Sequence, residues 1–162
     1  MSVTTDIVQA WRQPKVVIGR HLQRPKSEPF VFSLLVAFLL LAFVSLWPFL
    51  SRQTVQQPEV PMLQRLVASG LALLASIPFW YLFAAVSRWI AKVMGGQGSY
   101  YTARLALFSA LLAVTPGMLL QGLVAGMIGP GLQANLVAAL VGLGFVWIWM
   151  SMLWEAERAD AS

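Results

Sequence analysis

The chain has 162 residues, 59% of them hydrophobic and only 10% charged, with 11 Lys plus Arg against 6 Asp plus Glu. A soluble domain carries about 25% charged residues, and a mean hydropathy of +0.73 leaves too little polar surface to cover a water-facing fold. This excludes an ordinary globular enzyme, a disordered tail and, with no cysteine, a disulfide scaffold or thiolate metal site; an all-α membrane protein fits.

Residues 1–29 read as a cytoplasmic amphipathic interfacial segment. Val3, Ile7 and Trp11 recur every fourth position with Val8 beside them, and Thr4, Thr5 and Asp6 are N-cap candidates. Pro14 ends that helix and opens a second, in which Ile18 and Leu22 share a face. With Arg12, Lys15, Arg20, Arg24 and Lys26, the segment is expected in the membrane interface, against anionic head groups. A docking site for a partner protein is the alternative. His21 is the only histidine, and a metal site needs three or four ligands, so no metal or catalytic role is expected of it.

Residues 30–154 read as a four-transmembrane-helix bundle. Residues 30–50, 66–87 and 105–154 carry no charge, and a helix crosses the bilayer with about 20 apolar residues. The first stretch is one span, 30–50, which ends in Trp47-Pro48-Phe49 rather than small residues and is expected to stay in the mature protein. The second, about 64–92, exceeds the bilayer thickness and should tilt, bend at Pro78 or project beyond it. The third splits at Gly126-Met127-Ile128-Gly129-Pro130-Gly131 into spans of about 103–125 and 132–154. Residues 155–162 read as a short acidic cytoplasmic tail.

Arg88, Lys92, Arg104 and Arg158 join the five N-terminal cations on one side, leaving Arg52 and Arg65 on the other. Nine against two puts both termini and the middle loop in the cytoplasm. It also accounts for the pI near 10.3 without a nucleic-acid partner.

Ionisable groups inside a membrane mark proton relays and ion paths, and the apolar stretches have none, so no catalytic residue, cofactor or metal is expected. Gly95-Gly96-Gln97-Gly98-Ser99, flanked by Arg88, Lys92 and Arg104, has the look of a phosphate cradle. It lacks the Lys-Ser/Thr ending of a P-loop. A tight inter-helix turn is the simpler reading, with a phospholipid head group a better occupant than a nucleotide. Three small-residue stripes, Gly122 with Gly126, Ser109 with Ala113 and Gly117, and Ala138 with Gly142, permit close helix approach within the chain or at an oligomer or partner interface. Pro78 and Pro116 should kink their spans, with Ser76 and Thr115 shielding freed carbonyls. Ser76, Thr115, Gln121 and Asn135 are sparse polar lining for a transport path.

The run from Val93 through the Gly95-Gly96-Gln97-Gly98-Ser99 loop to Pro116, and Trp11-Arg-Gln-Pro-Lys-Val-Val before the first span, resemble the YIP family of multi-span membrane proteins, bacterial members in particular. The resemblance implies an all-helical, non-enzymatic membrane domain, here in the bacterial inner membrane, with a cytoplasmic N-terminus. Eukaryotic members bind Rab-type GTPases. This chain lacks their Asp-Leu-Tyr-Gly-Pro-type motif, and its four expected spans are one short of the usual five, so GTPase binding is not carried over. Gly95, Gly96, Gly98 and Pro116 match as structural positions. The expected function is a scaffold, assembly factor or accessory subunit, with membrane lipids and a protein partner or second copy as partners. The alternative is a small transporter or channel component working as an oligomer.

Overall fold

A computed structural model describes residues 3–159, in eight helices. They are α1 (Val3–Ala10), α2 (Pro14–Leu22), α3 (Glu28–Gln56), α4 (Met62–Ala75), α5 (Ile77–Val93), α6 (Tyr100–Ala113), α7 (Thr115–Met127) and α8 (Leu132–Ala159). Among the described residues there is no strand. Three units are long and apolar enough to cross a membrane: α3, α4 with α5, and α8. The pair α6–α7, bent by 42°, is apolar enough to count as a fourth if its two helices form one span.

Local chemistry sets the helix ends and breaks. Ser27 caps α3 by accepting from the Phe30 N–H at 3.4 Å, with Glu28 in the first turn. α3 then runs past the expected end at residue 50 and through Pro48; the Thr54 hydroxyl donates to the Leu50 carbonyl at 2.9 Å in the added turns. The helix is interrupted just before Pro78 and just before Pro116, and the interruption before Pro116 bends its pair by 42°. α4 gives way to α5 at Ser76, whose hydroxyl donates to the Leu73 carbonyl at 2.6 Å. α6 gives way to α7 at Val114, and Thr115 donates to the Leu112 carbonyl at 2.8 Å. Leu112 is the residue four before Pro116, whose missing N–H leaves that carbonyl without its helical donor.

α6 is the centre of the bundle. Its residues from Thr102 to Ala113 are buried, apart from Arg104, under α3, α5, α8 and the N-terminal helices. Leu35, Phe108, Ile148 and Met152 fill the middle, and Tyr81 meets Phe108 edge-on at 5.3 Å. α7 lies along α3 because Gly122 and Gly126 let it: a Cβ on Gly122 would run into the Ser45 carbonyl, and one on Gly126 into Pro48. Gly117 is similarly tight against Val141, at 2.8 Å from a Cβ position. Ser109 and Ala113 are buried. These two stripes therefore pack inside the chain and are not surfaces for an oligomer. Gly142 differs, since a Cβ there meets nothing within 4 Å.

The N-terminal segment departs from the expected interfacial helix. α1 and α2 form a hairpin, tied by Arg20 to Asp6 at 2.9 Å and to Gln9 at 2.7 Å. Its apolar residues Ala10, Val17 and Ile18 are buried against α6 and α8. The bundle itself supplies the burial of these three, while Val8 stays well exposed and Trp11 partly so.

The C-terminus departs too. Residues 155–159 are not a tail but the last turn of α8, with Ala156 and Glu157 buried, because the apolar helical period continues past Trp154. Residues 160–162 lie outside the described residues. The starts of α3 and α6 and the ends of α5 and α8 meet at one end of the bundle, where Arg104 pairs with Glu28, Arg88 with Glu157, and the Tyr101 hydroxyl accepts from the Ser27 N–H at 3.1 Å. At the opposite end Arg52 donates to the carbonyls of Gly126 and Met127 at 3.3 and 3.2 Å, closing the end of α7.

Candidate functional site: a filled anion cradle at the cationic end

The Gly-rich loop is built for close approach. α5 ends at Val93 and Gly95 turns the chain at a φ of +89°, a left-handed conformation that favours glycine. The N–H groups of Gly95 and Gly96 donate back to Lys92 and Ala91 at 3.0 and 2.8 Å, completing the helix end. Ser99 then opens α6 with a reciprocal cap: the Thr102 N–H donates to Ser99 Oγ at 3.2 Å, and the Ser99 N–H to Thr102 Oγ1 at 2.9 Å.

Between those two turns the loop holds an anion, and the anion is the chain's own. Glu157 Oε2 accepts from the Gly98 N–H at 2.8 Å and from Arg88 Nη1 at 3.2 Å, and the Gln97 N–H donates to the Glu157 carbonyl at 3.3 Å. The Arg88 and Glu157 side chains are only 10% and 9% exposed. A Cβ on Gly98 would sit 2.9 Å from the carboxylate, and one on Gly96 would collide with it. The loop is a tight inter-helix turn, the simpler of the two readings, and the cradle its glycines form is filled by the Glu157 side chain.

The six loop residues singled out by sequence consequently separate. Arg88, Gly96 and Gly98 converge on Glu157, while Gly95 makes the turn. Arg104 lies away from them, paired with Glu28 and placed over the Tyr81 ring at 5.7 Å. Lys92 is exposed. Glu157 itself was missed because it was assigned to a tail. The signal was there in Ala156, four residues after Met152 and three after Leu153, which carries their buried face past Trp154. Chemically the cluster is a buried ion pair with added amide donors, a lock joining α5, the loop and α8. Among the described residues, no group of three or more His, Cys, Asp or Glu is placed to hold a metal.

A second polar cluster sits under the hairpin. His21 Nε2 lies 3.5 Å from Asp6 Oδ2, and the ring stacks on Phe30 at 5.4 Å. Burial lowers the His21 pKa below 6.5; Asp6 opposes the shift, while Arg24 and Arg20 reinforce it. His21 and Ser109 line a cavity of about 60 Å³ with Asp6, Arg24 and Ala113, room enough for water. His21 Nδ1 and Ser109 Oγ have no protein hydrogen-bond partner.

The family model of the Yip1 domain matches residues 8–161. This chain belongs to the Yip1 domain family. The match takes in the end of α1, all of α2–α7, the cradle and α8. Neither the curated proteins nor the solved structures yielded a match. In this Yip1 domain α5 and α8 touch at Phe83 and Trp149, whose rings are 5.1 Å apart, and a groove of about 530 Å³ opens between the two helices. Its walls are mostly apolar, and it ends at Gly95–Gln97, Glu157 and Arg158. Sequence periodicity gave no warning of this groove, because it depends on which helices α6 holds apart.

Proposed function

We propose that this Yip1-family protein is a non-enzymatic membrane scaffold, serving as assembly factor or accessory subunit of a larger complex, with both termini and the Gly-rich loop cytoplasmic. One observation carries the reading. None of the most apolar 18-residue window of Met62–Val93 is buried in the chain, against 39% for Glu28–Gln56. α4 has no buried residue at all, and Leu63, Val67, Leu71 and Leu74 make an exposed stripe along it. Such a helix adds little to the fold of its own chain, and an outer helix presenting an unbroken apolar face suits lateral association. The open position at Gly142 on α8 supports the same reading, since small residues let a second helix come close. The conspicuous charged groups, Arg88 with Glu157 and Arg104 with Glu28, are spent on intrachain pairs, which fits a structural role.

A photo-crosslinking residue placed at Leu71 or Leu82 in native membranes tests the proposal. A discrete protein adduct, either another polypeptide or a second copy, is the expected result. Lipid adducts alone from both positions would overturn it.

A further inference from the structure

Beside the locked Glu157, the α5–α8 groove combines two properties that belong to different parts of one molecule. Its long part is apolar, walled by Phe83, Val86, Ile90, Trp149 and Leu153. Along α5 it runs from Phe83 to Met94, about 16 Å at about 1.5 Å per residue, close to half of the roughly 30 Å hydrocarbon core. That is the depth of one leaflet. One end lies at the cationic end of the bundle, where Gln97 and Arg158 are among the lining residues. Arg158 stands 4.8 Å over the Trp154 ring and makes no ion pair with a carboxylate among the described residues. Lys92 is exposed one turn before Gly96. Glu157 adds no net repulsion there, because Arg88 already neutralises it.

We infer that this groove seats one anionic phospholipid, with an acyl chain between α5 and α8 and the phosphate at Arg158 and Gln97. An apolar trough one leaflet deep takes a hydrocarbon chain. A guanidinium held on an aromatic face, with no carboxylate partner among the described residues, matches a phosphodiester, to which Arg offers a planar fork of donors. The loop amides are excluded from the head-group site, since Gly95, Gly96, Gln97 and Gly98 all donate within the chain. The lipid therefore sits beside the Gly-rich loop rather than in it.

The full chain, stripped of lipid in mild detergent, would be offered phosphatidylglycerol or phosphatidylcholine in mixed micelles, and bound lipid counted by native mass spectrometry. One phosphatidylglycerol should be retained in preference to phosphatidylcholine. Arg158→Gln should weaken that retention about fivefold, the effect of removing one cation beside an anionic head group. Ile90→Trp, which fills the trough from a half-exposed position, should abolish it. Arg65→Gln, at the opposite end of the bundle, should change nothing. Circular dichroism confirms that each variant folds; should Ile90→Trp not fold, Val86→Phe replaces it. Equal retention of the two lipids, or undiminished phosphatidylglycerol in both the Arg158 and the trough variants, would overturn the inference. So would a dimer that dissociates when the trough is filled, which makes the groove a contact between copies. Leu71 and Leu82 lie outside the groove lining, so this result and the crosslinking result stand independently.

Discussion

Trp11 donates its indole N–H to the Ala113 carbonyl at 2.8 Å, across 102 residues of sequence and at the bend between α6 and α7. The same ring occupies the space beside Gly144, where a Cβ would come within 2.7 Å of it. The bend opens the α6 hydrogen-bond ladder, and the hairpin tip fills the opening. An unpaired buried carbonyl costs about 1–3 kcal/mol, so hairpin and kink stabilise each other. Trp11→Phe keeps most of the ring and should lower stability by about 1 kcal/mol, with faster proteolysis between residues 3 and 26. Thermal unfolding in detergent and limited digestion measure both, and unchanged digestion would show that the hydrogen bond does not hold the hairpin.

Removing one partner of the buried pair should hurt more than removing both. Glu157→Leu strands Arg88 and should cost about 3–5 kcal/mol, whereas Arg88→Leu with Glu157→Leu should recover much of that. Gly98→Ala should mimic the loss by displacing the carboxylate, and should add little once Glu157 is already Leu. A double-mutant cycle by thermal unfolding measures the coupling, and strictly additive effects would refute the lock.

The small-residue stripes should respond unequally. Gly122→Leu with Gly126→Leu forces α7 off α3, and overpacking of this kind costs about 1–3 kcal/mol per site or more. Gly142→Leu meets open space and should leave the purified chain's thermal stability unchanged. Equal losses at the three sites would contradict the packing described.

Acid should loosen the hairpin. The folded-state pKa of His21 lies below its ordinary 6.5, so the unfolded state binds the proton more readily there. The stability contributed by neutral His21 is complete above pH 6.5 and is lost as pH falls from that value through the folded one. His21→Gln should flatten this part of the stability profile. A wild-type profile that is level between pH 7.5 and the onset of carboxylate protonation would contradict the assignment.

The cation count predicts cytoplasmic termini. A reporter fused after Ser162 should be active only when it works in the cytoplasm. Exclusively periplasmic activity would reverse the orientation drawn from nine cations against two.

Much of the framework was legible because it is written in local chemistry. Charge-free runs, the Gly126–Gly131 break and the two span prolines with their hydroxyl neighbours act over a few residues, and each can be read one segment at a time. The family resemblance rested on equally local signs, the Gly-rich loop and Pro116. The site was only half legible. Gly96, Gly98 and Arg88 announced a cradle, but its occupant is 59 residues from Gly98, and no spacing rule connects the two.

By itself, then, the sequence determined that this is an all-helical membrane protein, where its helices bend and which end carries its cations. Those properties depend on hydropathy, backbone donors and charge, which belong to the segments. Only the tertiary structure decided that Glu157 fills the loop, that Trp11 closes the α6–α7 bend, that Gly122 and Gly126 serve α3 while Gly142 stays open, and that α5 and α8 part to leave a groove. Each of these is set by which side chains α6 holds within a few ångströms of each other, a matter of close packing between residues distant in the chain.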